Sequence, residues 1–307
     1  MPTAAVAPSK ARLLADAALL LSAVIWGWAF VFQKHAMQHL GPLAFIAARG
    51  LVAALALAPF AVREARLTIA TRPGFRALAI GGGLAFFGGA WLQQAGLETA
   101  TVTNSSFLTA LYVVITPFIV WAWYGAAPAR IVWPAAALSA IGTWLLGGGT
   151  FGAFSRGDGL VVTSSFLWAL HVVISARAAV HDRPIAFSTI QFAIVGALGT
   201  LGAALLETTS LDGLAAVWID IAFVGVLSSA VTFTVMTAAL RHTPAAEAAV
   251  IVSTETLFAA GAGYAVLGER LTPIGWLGAA AIIAGILLIQ VGAAFTRRRV
   301  PPDGARA

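Results

Sequence analysis

Apolar residues along this chain fall into long runs of about 20, separated by short polar interruptions. A helix needs roughly that length to cross the hydrocarbon core of a bilayer. Ten runs qualify, over 13–33, 42–62, 75–96, 101–123, 130–148, 158–178, 185–206, 214–240, 245–267 and 273–294. One of them, "AAEAAVIVSTETLFAAGAGYAVL" at 245–267, carries Glu255 near its middle, and another carries Arg49. An isolated charge in a span is costly, so such residues face a bundle interior or a wet cavity.

Composition agrees with that pattern. The chain has 307 residues, 60% of them hydrophobic and only 10% charged, with a mean hydropathy of +0.91. Soluble domains carry about 25% charged residues. The fold class is therefore an all-α polytopic membrane protein of ten transmembrane helices.

Net charge is +6, which alone would suit a nucleic-acid binder. The positions of the basic residues exclude that reading. With the N-terminus inside, nearly all Lys and Arg fall on the inner side. Only Lys34, Arg156 and Arg270 fall outside, and Arg49 lies within a span. This is the positive-inside pattern, and it predicts a multi-pass protein of the cell inner membrane with both termini cytoplasmic. The first apolar stretch is longer than a signal-peptide core and more spans follow, so it is read as a retained helix. Cysteine is absent, which excludes disulfides and thiolate metal sites.

The chain also repeats itself. One constant shift lays "SAVIWGWAFVFQKHA" over "SSFLWALHVVISARA", matching Ser22 with Ser164 and Trp26 with Trp168, and bringing Arg49 onto Gln191. A shift one residue longer lays "YGAAPARIVWPAAALSAIG" over "LGERLTPIGWLGAAAIIAG", so that Gly125 meets Gly268 and Gly142 meets Gly285. The expected organisation is a tail over 1–12, a first repeat over 13–148, a second over 158–294 and a basic tail over 295–307. Five spans is an odd number, so the second half inserts upside down: two inverted five-helix repeats. Inverted repeats characterise secondary transporters with a midplane site between the halves.

The "IWG" at 25–27, "FIAARG" at 45–50, "GLETATVTNSSFLTALYVVITPF" at 96–118 and "LGERLTPIGWLGAAAIIAGILL" at 267–288 resemble the drug/metabolite transporter superfamily, EamA type. The resemblance covers roughly residues 15–292. It implies ten helices and transport of small metabolites, often amino acids, usually outward. The chain departs from the family in one place: a Gly-Glu pair common to both halves is present only as Gly268 and Glu269.

Polar and aromatic residues within the spans supply the candidate cavity. Glu255 is read as a cavity carboxylate that binds a cation or takes a proton coupled to transport, against a structural residue hydrogen-bonded in the bundle. Arg49 divides between structural pairing and substrate contact, with Gln191 its neutral counterpart. Trp26 and Trp168 are repeat partners at mid-span, where rings either stack on a substrate or simply pack. Trp91, Gln94 and His171 lie on or near the same spans; a lone His such as His171 is more often a satisfied packing residue than a relay. In "TVTNSSF", Asn104 and Ser105 either line the cavity or cap a helix and bond between helices. Pseudo-symmetry sets Asn104 opposite Glu247 and Tyr112 opposite Glu255. Thr243 and Pro244 read as the cap and first residue of a helix, leaving Glu247, like Asp16, to a helix N-terminus whose dipole favours an anion.

Together these features point to a secondary transporter that moves a small polar or amphipathic metabolite, an amino acid or related compound, outward by alternating access. Its expected partners are that metabolite and the lipid bilayer; proton coupling through Glu255 and facilitated exchange are equally open, as is the oligomeric state. No P-loop appears, so ATP is not the direct energy source. The rivals are a membrane scaffold or assembly partner, with its polar groups satisfied at helix contacts, and a membrane-embedded enzyme. The second lacks HExxH, GxSxG and any thiol, so no catalytic residue, cofactor or metal is expected.

Overall fold

The structure, a computed structural model, describes residues 9–67, 73–125, 127–146, 148–149, 155–268, 270 and 272–296. Glu269 and most of both tails lie outside the described residues. Among the described residues every regular element is helical. The first half consists of α1 (Lys10–Ala36), α2 (Pro42–Leu67), α3 (Phe75–Leu97), α4 (Val102–Thr109), α5 (Tyr112–Tyr124) and α6 (Val132–Leu146). The second consists of α7 (Arg156–Ala179), α8 (Pro184–Leu206), α9 (Leu211–Ala216), α10 (Trp218–Ala222), a π-helical segment (Phe223–Val231), α11 (Thr232–Ala239), α12 (Ala245–Val252), α13 (Glu255–Leu267) and α14 (Pro273–Thr296).

Among the described residues, eight segments are long and apolar enough to cross a membrane. The expected fifth and tenth spans correspond to shorter apolar stretches, Val132–Leu145 and Pro273–Ile289. At 15 residues, α6 is about 23 Å long by its helical rise, less than a core of about 30 Å.

Three spans expected to be continuous are interrupted. The span over 101–123 breaks between α4 and α5, and the span over 245–267 breaks between α12 and α13. The two breaks fall at matching places in the repeat, so α5 opens on Tyr112 and α13 opens on Glu255. A helix break orphans carbonyls, and local hydroxyls take them up at the second break. Ser253 donates to Val250, Thr254 to Ile251 and Thr256 to Ser253. Hydropathy cannot register such a break because its residues stay apolar or small. The third interruption is the nine-residue π segment inside the expected span 214–240. Such segments are rare and cluster at functional sites.

The sequence explains the helix ends. Gly125 and Gly268 terminate α5 and α13 with φ of 68° and 70°, the left-handed conformation glycine adopts at little cost. Ser155 and Asp158 form a capping box at the start of α7. At α12 the expectation is corrected: Pro244 is the cap and Ala245 the first helical residue. The Thr243 hydroxyl instead donates to Asp16 at 2.6 Å.

Two long-range caps tie α2 to α8. Glu207, just past the end of α8, accepts from the amides of Leu43 and Ala44 at 2.9 Å each. Glu64, near the end of α2, accepts from those of Ile185 and Ala186 at 3.2 and 2.7 Å. A carboxylate at a helix N-terminus satisfies orphan donors and complements the dipole. Between the caps the two backbones come so close that a Cβ on Gly50 would lie 2.7 Å from Gly196 N. The helices α6 and α14 meet as closely, a Cβ on Gly142 falling 2.7 Å from the Gly278 carbonyl oxygen.

Candidate functional site

A cavity lies where the two halves meet. Trp26, Phe30 and Gln33 reach it from α1, Arg49 from α2 and Gln93 from α3. Thr109 and Tyr112 flank the first helix break, and Val252 and Glu255 flank the second. Trp168, His171 and Val172 come from α7, Ser228 from the π segment, and Phe233 and Met236 from α11. Its volume is about 60 Å³, room for a few waters. Small-molecule pockets run to roughly 300–1,000 Å³, so the hollow is smaller than a usual ligand site. A larger groove of about 330 Å³ on α2 and α8 is walled only by Ala, Leu and Thr side chains and offers no ionisable group.

An aromatic cluster stands against the cavity, which its members Trp168 and Phe233 line. Phe86 sits edge-on to Trp168, Phe192 and Phe233 at centroid distances of 5.0, 5.0 and 4.8 Å. The repeat partners Trp26 and Trp168 differ in their bonding. Trp26 Nε1 donates to the Ser228 carbonyl at 2.9 Å, which also accepts from the Thr232 hydroxyl at 2.7 Å. Trp168 Nε1 is buried with no acceptor.

Two charged side chains line the cavity. Glu255, 6% exposed, opens α13, where the helix dipole favours its anion. The buried Tyr112 hydroxyl stands near that carboxylate and has no hydrogen-bond partner. Arg49, 3% exposed, donates to Ser229 Oγ through Nε and Nη2 at 3.2 and 2.9 Å. Its Nη1 donates to Gln33 Oε1 at 3.2 Å.

Of the residues expected at the cavity, Trp26, Arg49, Tyr112, Trp168, His171 and Glu255 line it. The others stand back from it. Gln191 lies behind His171, its Oε1 at 2.9 Å from Nε2. Gln94 donates to the Gln33 carbonyl at 3.1 Å, tying α3 to α1. Ser105 is buried within α4 with its hydroxyl unpartnered. Asn104 is half-buried, and its backbone amide, at 3.1 Å from the Thr101 hydroxyl, closes the N-cap of α4. Trp91 is 37% exposed and stacks on Phe87.

Sequence reasoning did not single out Gln33, Thr109, Ser228, Phe233 or Met236. Gln33 carried a signal, as a buried amide inside the first helix one residue before Lys34. Ser228 carried none, because the π segment that turns it inward is invisible to hydropathy.

A second polar network lies away from the cavity. Arg12 Nε bonds both carboxylate oxygens of Asp16, at 3.0 and 2.9 Å, and its Nη2 reaches Glu247 at 2.6 Å. Glu247 lies in the first turn of α12, as read, and also joins an ion-paired cluster that ties α1 to α12. The helix-dipole reading of Asp16 gives way to that cluster, because α1 begins at Lys10 and Asp16 lies beyond its first turn. Arg12, expected in the tail, lies in α1 and is buried.

Long apolar helices packed around a small hollow that holds a few polar groups define a multi-pass membrane protein. The chain belongs to the EamA-like transporter family, which matches residues 13–148 and again 155–291. It is similar to an uncharacterized transporter of Archaeoglobus fulgidus, 28% identical over 281 residues, 91% of this chain and 87% of that one. Its fold resembles that of a protein known from a crystal structure, with a TM-score of 0.75 at 14% identity, over 96% of this chain and 100% of the other.

Proposed function

We propose that this protein is a secondary transporter that carries a small polar or amphipathic metabolite, an amino acid or related compound, out across the inner membrane by alternating access. The observation that carries this reading is the central hollow, where the breaks of the two repeat-related spans bring Tyr112 and Glu255 together beside Arg49. Broken helices with polar groups at their ends are how membrane transporters build midplane sites.

Ten spans in two inverted sets of five, with both termini cytoplasmic, form the frame. The family's double match supports two like halves, as do the reciprocal caps of Glu64 and Glu207. In this frame α6 and α14 complete the fifth and tenth spans. Each half can then take up the other's conformation, which moves the opening from one face to the other. Glu255 carries the coupled proton, with the unpartnered Tyr112 hydroxyl nearby.

The test is uptake and counterflow in proteoliposomes with a radiolabelled metabolite panel under imposed pH gradients. Saturable flux above empty vesicles for at least one compound is expected. Flux equal to empty vesicles across the panel would remove the transport reading.

A further inference from the structure

Arg49 is buried in the cavity wall and its charge goes unanswered. All its hydrogen bonds run to neutral oxygens, those of Ser229 and Gln33. The Phe86 ring lies 5.6 Å from its guanidinium carbon. Among the described residues, no carboxylate forms an ion pair with it. Arg12, buried to a similar degree, engages two carboxylates. Burying a guanidinium without a counter-ion is expensive, and neutral acceptors offset only part of the cost. After these bonds each terminal nitrogen keeps one N–H, the pair of donors that grips a planar carboxylate.

We propose that Arg49 is the anchor for a planar monoanion, a carboxylate, on the transported molecule, with Gln33 and Ser229 as positioning residues that aim its guanidinium. This rests on the transport reading above and names the chemistry its substrate carries. The aromatic walls of Trp26, Trp168 and Phe233 suit an apolar remainder. A single buried cation matches one negative charge better than the two of a phosphate monoester. Glu255 lines the same hollow. The anion therefore enters with a proton for Glu255 or with a cationic group of its own.

The experiment is equilibrium binding to the purified full-length protein in lipid nanodiscs. The probes are matched ligands from propionate to indole-3-acetate, each alongside its amide and the related amine, with the corresponding amino acids as zwitterionic arms. At least one carboxylate or zwitterion is expected to bind saturably, about tenfold or more tighter than its amide, as a charge-assisted bond implies. Arg49→Gln abolishes that ratio and Arg49→Lys restores part of it. Ser229→Ala lowers the ratio, a readout that mere loss of stability leaves unchanged, and it decides the matter should Arg49→Gln not fold. Equal affinity for carboxylate and amide in the wild type overturns the proposal, as does a ratio unchanged in the variants or no carboxylate binding anywhere in the series. Flux of amines or amides without such discrimination would overturn it and leave transport standing. Carboxylate binding without any flux would keep the anchor and overturn transport.

Discussion

At the residue scale, Glu255 answers the question its position raises. A carboxylate in an apolar span is tolerable because the helix breaks there, giving it a helix N-terminus, a tyrosine hydroxyl and a hollow. Glu255→Gln keeps the shape and removes the titration. Transport by this variant is expected to fall about tenfold, the scale of a lost charged hydrogen bond, and to lose its response to a pH gradient at normal expression. Wild-type flux at every pH would show that the carboxylate takes no part. Trp26→Ala removes both an aromatic wall and the bond to the Ser228 carbonyl. It is expected to change the order of preferred substrates in competition assays more than the maximal rate, and an unchanged order would remove Trp26 from the pocket.

At the element scale, the helices meet through devices that hydropathy does not encode. The N-terminus of α8 has no side-chain cap of its own, and Glu64 supplies one from the end of α2. Loss of a cap costs about 1 kcal/mol. Glu64→Gln and Glu207→Gln are each expected to lower the unfolding temperature in detergent by a few degrees, about 2–4 °C per kcal/mol at this size. The two caps sit at opposite ends of the helix pair, so the double variant should show the sum. The Arg12 cluster is a stronger tie. Arg12→Ala takes the guanidinium away from the buried Asp16 and the partly buried Glu247, an expected loss of about 3–5 kcal/mol, measurable by thermal unfolding. Adding Asp16→Asn and Glu247→Gln should recover part of that loss; no recovery would mean that charge is not the cause.

The places of the spans were legible in the sequence because lipid imposes a length and a polarity that a plain reading of runs detects. The repeat was legible through pairs such as Gly125 and Gly268, which close equivalent helices in the same left-handed conformation. Trp26, Arg49, Tyr112, Trp168, His171 and Glu255 could be named as intramembrane polar or aromatic groups. What could not be read was direction around each helix axis. Trp91 and Trp168 look alike in sequence, yet one is 37% exposed and the other 9%. The π segment shifts the facing of every residue in it, which is why Ser228 and Ser229 escaped notice.

At the scale of the whole molecule, the halves touch through like partners, α2 on α8 and α6 on α14, around a small hollow of about 60 Å³. Close backbone contact at Gly50 and Gly142 suits pairs that hold together while their neighbours move. The lack of native cysteine permits a direct test of alternation. A single thiol at Ser228→Cys, on the cavity wall, would be challenged with a membrane-impermeant methanethiosulfonate from each face of oriented vesicles. Alternating access predicts modification from either face, with transported substrate protecting both. A thiol that reacts from one face alone under every condition, or from neither, would contradict the account.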